Sequence, residues 1–125
     1  MIVLDTNIVL ETLEKRDHHL VVLNLLRQHS YETYAVSTLT LSNVFYVAEK
    51  SHAATSVAEK LLKTYKIFGE VTEDADWAFA HYHGKDFEDA LQVAAARRAG
   101  AKLFVTLDGP LAKKYQEFLP VQLVK

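Results

Sequence analysis

The sequence contains no cysteine, which excludes a disulfide scaffold, a thiol nucleophile and every cysteine-ligated zinc or iron–sulfur site, and fits a reducing compartment. Only four glycines and two prolines interrupt the 125 residues, so no Ser/Gly/Pro-rich stretch is there to act as a linker. Internal repeats and low-complexity runs are missing too. No stretch approaches the ~18 to 20 continuous apolar residues of a membrane span. The opening MIVLDTNIVL has no basic n-region, no long apolar h-region and no small-residue cleavage site, so it is not expected to be a secretory signal. Nor is the charge one-sided. Fourteen Lys and Arg stand against sixteen Asp and Glu, a net charge of −2, which argues against a uniformly basic nucleic-acid clamp while leaving room for a local basic rim. These absences lead to the expectation of a soluble, cytoplasmic single domain over residues 1–125.

What is present is a chain that is 50% hydrophobic, long enough to bury roughly two-thirds of its unfolded surface in one core. Ile2 to Leu4 is a short apolar run ending in Asp5, the pattern of a parallel strand buried on both faces. The chain from Thr6 onward reads as helical, and Leu20 to Leu26 as a core-facing helix. Thr33 to Thr38 reads as a strand before a helix over Leu39 to Ala48. Between Thr55 and Phe68, Val57, Ala58, Leu61, Leu62 and Tyr65 recur at helical spacing, with Glu59, Lys60, Lys63 and Lys66 on the wet face. A strand near Ile67 to Val71 and a helix from Glu73 to Tyr82 follow. Asp86 opens a helix that Gly100 is suited to cap, Lys102 to Thr106 is a strand, Pro110 to Phe118 a helix and Val121 to Val124 a last strand. This alternation predicts an α/β fold with a parallel sheet and helices on both faces.

In such sheets ligands bind beyond the carboxyl ends of the strands. Asp5 closes the first strand, and Asp108 follows the strand Leu103 to Thr106. Asp86, Glu88 and Asp89 lie in the first turn of the preceding helix, where residues three apart share a face, so Asp86 and Asp89 align while Glu88 points partly aside. Two like charges about 5 Å apart repel by roughly 3 kcal/mol at an effective dielectric of ~20, so such a cluster calls for a cation or a proton. Mg²⁺ or Mn²⁺ prefers oxygen ligands and is commonly held by one or two carboxylates plus substrate phosphate. Each acid also has a plainer reading. Asp86 with Asp89 matches an N-cap and its capping-box partner, and Asp108-Gly109-Pro110 matches a turn. Asp5 is harder to dismiss, because it follows three apolar residues expected to be buried and Asp is seldom placed there without a partner.

Asp5-Thr6-Asn7 after an apolar strand, Asp86-Phe87-Glu88-Asp89-Ala90 at a helix start and Val105-Thr106-Leu107-Asp108 resemble, in order and spacing, the PIN domain. The resemblance is particularly to the small single-domain PIN proteins that include VapC-type toxins, and it covers essentially the whole chain. It implies a three-layer α/β/α fold with a central, mostly parallel sheet. It also implies an endoribonuclease in which acids bind Mg²⁺ or Mn²⁺ and a metal-activated water attacks an RNA phosphodiester. Asp5 would be the first acid, Asp89 the third and Asp108 the fourth, with Asp86 and Glu88 accessory acids near the metal. Thr106 would support the site through its hydroxyl, and Asn7 would order the loop after Asp5. An antitoxin partner and a homodimer are further implications of the resemblance.

The chain departs from the family at the second acid, where Asn43 stands in place of Glu. Asparagine keeps a carbonyl oxygen but loses the charge. Glu88 or Asp86 then restores that charge, or the site binds metal more weakly, and the alternative function is a weak or inactive PIN-like module that binds RNA or a protein partner. Lys113 and Lys114 follow the fourth acid closely enough to meet RNA phosphates. His81 and His83 flank Tyr82 but diverge at a helix end, and His18 and His19 likewise point apart. A receiver domain is disfavoured because its phosphoacceptor ends a central strand, whereas Val47 to Ala54 looks helical. A dehalogenase-type phosphatase would need Asp where Asn7 stands. Setting aside the five proposed site acids leaves fourteen basic against eleven acidic residues, an acidic pocket on a mildly basic body.

Overall fold

The computed structural model of the chain describes residues 1–52 and 55–125. Ala53 and Ala54, the end of the segment expected to continue as helix from Val47, lie outside the described residues. The order of elements is β1 (Ile2–Leu4), α1 (Thr6–Glu14), α2 (His19–Gln28), β2 (Tyr34–Ser37), α3 (Thr38–Lys50), α4 (Thr55–Leu62) and β3 (Lys66–Phe68). The chain continues through α5 (Thr72–His81), α6 (Phe87–Arg98), β4 (Leu103–Thr106), α7 (Gly109–Tyr115) and β5 (Val121–Leu123).

The strands form one five-stranded sheet in the order β3-β2-β1-β4-β5, and every pairing is parallel. From β1 the chain steps outward through β2 to β3, then crosses back to β4 on the other side of β1. Crossovers of constant hand place their helices on opposite faces when the direction of travel reverses, and the two cores show that division. Ile2, Leu4, Val36 and Val105 pack with Ile8, Val22, Val44, Ala48, Ala58 and Leu62 of α1 to α4. Val3, Ala35 and Phe104 pack with Ala78, Ala90, Val93, Leu111 and Tyr115 of α5 to α7. Successive strand residues thus go to opposite layers, as the pleat requires, and β1 is buried on both sides, as a central parallel strand must be.

Two expected boundaries are corrected. The helical pattern read from Thr55 to Phe68 ends as α4 at Leu62, because Lys66–Phe68 pairs with β2 in the register Val36 to Ile67. Ladder hydrogen bonds there prevail over the helical spacing of Tyr65. The strand read as Ile67 to Val71 accordingly begins and ends earlier. The expected turn at Asp108-Gly109-Pro110 instead opens α7, where the Asp108 carboxylate caps the helix and Pro110 sits in its first turn.

Candidate active site

The chain reverses its direction of travel between β1 and β4, and the crevice beyond their carboxyl ends is the topological switch point of the sheet. Asp5 leaves β1 there, its N–H donating to the Val105 carbonyl at 3.0 Å. Three elements then fix its side chain. The Thr6 N–H (2.7 Å) and Gln92 Nε2 of α6 (3.2 Å) donate to Oδ1, and the Thr106 hydroxyl at the end of β4 donates to Oδ2 at 2.7 Å. That same Thr106 oxygen accepts the Asp108 N–H at 2.9 Å, so one hydroxyl joins the first and last acids. Asn7 Oδ1 accepts the Leu107 N–H at 3.4 Å, tying the loop after β4 to the start of α1. Asp108 Oδ1 accepts the Leu111 N–H at 3.1 Å.

Asp89 projects from the first turn of α6. Its pKa is pushed up to about 7, first by burial and then by the negative charges of Asp108, Asp5, Asp86 and Glu88. Burial likewise raises Asp5, with Asp108 adding to the effect and the hydrogen bonds from Thr106, Thr6 and Gln92 opposing it. The acids therefore share one electrostatic neighbourhood although they come from β1, α6 and the β4–α7 junction. Among the described residues, no three Asp, Glu or His side chains converge closely enough to hold a metal ion by themselves. A magnesium-type site does not require that, since one or two carboxylates, waters and substrate phosphate complete its shell. The all-oxygen donor set and its uncompensated mutual repulsion fit such an ion.

The titration of Asp89 gives a stability signature in metal-free protein. Its folded pKa lies above the ordinary carboxyl value of 3.8, so its contribution to stability is complete below pH 3.8 and is lost as pH rises through about 7. Compared with Asp89→Asn, chelated wild type should gain thermal stability as pH falls from 8 to 5. A constant difference between the two melting curves over that range contradicts the shift.

The accessory acids take different positions. Glu88 is exposed on α6 and accepts a hydrogen bond from Asn43 Nδ2 of α3 at 2.9 Å, so the residue expected to stand at the second-acid position touches an acid from another element. Asp86 is buried and occupies the N-cap of α6, but its side chain makes no capping bond to that helix, contrary to the capping-box reading. It accepts the His83 N–H and the Tyr115 hydroxyl, with Lys114 Nζ at 3.7 Å. Burial works to raise its pKa, but the bonds from Tyr115 and His83 outweigh it, and the carboxyl ends below its usual value. Lys113 is exposed on α7. His81 stacks on Trp77 at 3.9 Å and contacts its carbonyl oxygen at 2.8 Å, while His83 lies beyond the end of α5.

Sequence reasoning missed four participants. Gln92 lies one helical turn beyond Asp89 and is the only buried polar side chain in the run Ala90 to Ala96; that lone amide among alanines and valine was the available signal. Thr6 and Thr40 share a 3.1 Å hydrogen bond that joins α1 to the first turn of α3; Thr6 lies in the Asp5-Thr6-Asn7 motif, but the sequence assigns neither hydroxyl a role. Tyr115 carries no signal of its own in the sequence, and its hydroxyl contact to Asp86 is visible only in three dimensions.

The sequence profile of the PIN domain matches residues 2–116. No curated protein matches the chain. Several solved structures share the fold. A toxin–antitoxin complex from Klebsiella pneumoniae is 20% identical, with a TM-score of 0.76 over 98% of this chain and 96% of that one. VapBC2 from Rickettsia felis, bound to a DNA fragment from its promoter, is 20% identical over the full length of both chains, with a TM-score of 0.71. VapC20 of Mycobacterium tuberculosis, a toxin that cleaves the sarcin–ricin loop, is 16% identical over 90% of this chain and 94% of its own, with a TM-score of 0.71. With its profile match spanning nearly every element and its acids gathered at the switch point of a parallel sheet, this chain belongs to the PIN domain family.

Proposed function

We propose that the protein is a metal-dependent endoribonuclease and the toxin component of a toxin–antitoxin pair, working in the cytoplasm as a homodimer. The observation that carries this reading is the meeting of Asp5 and Asp108 on the Thr106 hydroxyl at the switch point of the parallel sheet, in one electrostatic neighbourhood with Asp89, which burial and four neighbouring acids push up to about 7, a repulsion that a divalent cation relieves. Asp5, Asp89 and Asp108 are the residues assigned to hold Mg²⁺ or Mn²⁺, with Glu88 and Asp86 nearby. When bound, the ion lowers the pKa of water and offsets charge developing on the phosphate. Thr106 and Gln92 keep the Asp5 carboxylate aimed through their hydrogen bonds. Asp108 is set by the N-terminus of α7, and Lys113 and Lys114, both exposed on that helix, are the residues assigned to flanking phosphates. The antitoxin assignment is supported by the toxin–antitoxin complexes among the similar structures, and the dimer rests on the family resemblance alone.

Cleavage of synthetic RNA should require Mg²⁺ or Mn²⁺, stop with chelator and fall by on the order of 100-fold in Asp89→Asn. Cleavage indifferent to chelator overturns the mechanism.

Asn43 favours a second reading, a binding module with weak catalysis, because it brings an amide rather than a charge to the position of the second acid. Asn43→Glu separates the two. The new carboxylate would face Glu88 at the present 2.9 Å contact, so the variant should melt lower without metal and gain more from Mn²⁺ than wild type in a thermal-shift titration. An unchanged Mn²⁺ response assigns the missing charge to Glu88 or Asp86 and leaves the nuclease reading intact.

A further inference from the structure

Three helices meet at the acid crevice, and each brings two neighbouring side chains that reach the other two. Asp5 and Thr6 stand at the start of α1, Thr40 and Asn43 in the first two turns of α3, and Glu88 and Gln92 in the first two turns of α6. Residues three or four apart on a helix share a face, so one helix can address two partners. Thr6 Oγ1 and Thr40 Oγ1 lie 3.1 Å apart, Asn43 Nδ2 donates to Glu88 at 2.9 Å, and Gln92 Nε2 donates to Asp5 Oδ1 at 3.2 Å. The Thr6 N–H donates to that same Asp5 oxygen at 2.7 Å, and there the circuit closes. Asp89 lies on α6 between two of its corners.

Packing alone does not provide this link. α3 is packed in one layer through Val44 and Ala48, and α6 in the other through Ala90 and Val93. The sheet separates those layers, so neither core sets α3 against α6, and the Asn43–Glu88 bond joins them directly. Thr40 anchors the other end. It is fully buried, and Ser37 Oγ accepts its N–H at 3.2 Å, which fixes the turn that carries it. A buried hydroxyl needs a partner, and this one bonds Thr6 rather than a carbonyl of its own helix. We propose that Thr40 and Asn43 are positioning residues, and that α3 is a strut holding Asp5 and Asp89 at a fixed separation for a divalent cation. The proposal rests on the metal-site reading and gives the amide at residue 43 a use that a carboxylate lacks, since only the amide donates to Glu88.

Thr40→Val/Asn43→Ala cuts both ends of the strut and leaves Asp5, Asp89, Asp108 and Gln92 in place. Thr6 is partly exposed, so its hydroxyl turns to water and the melting temperature should stay within a few degrees of wild type. Calorimetry should show Mn²⁺ binding about tenfold weaker, the scale on which groups that orient metal ligands act, and RNA cleavage should fall in kcat at nearly constant KM. Each single variant should lose nearly as much as the double, because either cut opens the same circuit. Thr40→Ser keeps the hydroxyl and should keep wild-type affinity. Unchanged Mn²⁺ affinity in the double variant overturns the strut. Tighter binding by Asn43→Ala overturns it too, and shows that the amide withholds Glu88 from the ion. Hydrogen exchange of the Thr6 N–H in metal-free protein is the second measurement, and it should quicken about tenfold in Thr40→Val. Where wild type binds no Mn²⁺, an unchanged exchange rate overturns the strut. RNA cleavage is scored separately: lost affinity in the variants with no cleavage by wild type rejects the nuclease reading alone, and metal-dependent cleavage with affinity unchanged in the double variant rejects the strut alone.

Discussion

Asp5→Asn is expected to lower metal-dependent RNA cleavage by on the order of 100-fold or more, the scale on which single groups that offset developing charge act, with little change in folding. The two effects separate because the carboxylate is held for its charge rather than its shape. An amide of the same outline still accepts from Thr6 or Gln92. Burial already disfavours the charged form of Asp5, so removing the charge relieves a cost as it removes a bond. The melting temperature should stay within a few degrees of wild type, a net change of about 1 kcal/mol at most, while Mn²⁺ affinity drops sharply in calorimetry. Cleavage by the variant at the wild-type rate would remove Asp5 from the mechanism.

Asp86→Ala should do the opposite. It leaves the buried Tyr115 hydroxyl and the His83 N–H without their acceptor, a loss of about 2–4 kcal/mol, read as a fall in melting temperature of about 10 °C or more. Tyr115→Phe removes only one of those bonds and should cost about 1–2 kcal/mol. The dependence on pH follows from the direction of the shift. The folded carboxyl titrates below its usual 3.8, so its contribution is present above that value and lost as pH falls through the folded pKa. The gap between wild type and Asp86→Ala should therefore narrow only in strongly acidic solution. A variant that melts like wild type but no longer binds Mn²⁺ would make Asp86 a ligand rather than a structural pin.

Much of the fold was legible because it rests on local patterns. The apolar run Ile2 to Leu4, the strand Leu103 to Thr106 and the amphipathic spacing around Ala58 and Leu62 each declare their element. The end of α4 was not legible, since Tyr65 continues the helical period and only pairing with β2 decides the matter. At the site, the positions of Asp5 and Asp108 followed from the rule that strand ends bind ligands. Their neighbours did not, because the bonds from Gln92 to Asp5, from Asn43 to Glu88 and from Tyr115 to Asp86 each join separate elements. Sequence spacing within one helix could align Asp86 with Asp89 but gave no warning that α7 would claim the first of them.

The bond from Thr106 to Asp5 links residues 101 positions apart, and the pairing of β1 with β4 is equally distant. Contacts of such sequence separation form late, after the entropy of closing a long loop has been met. A chain emerging from the ribosome therefore carries Asp5 for most of its synthesis with nothing opposite it, and a fragment ending before β4 has the first and third acids but no crevice between them. On the proposed nuclease reading, a copy cut short before β4 lacks both the Thr106 hydroxyl and the Asp108 carboxylate that complete the site.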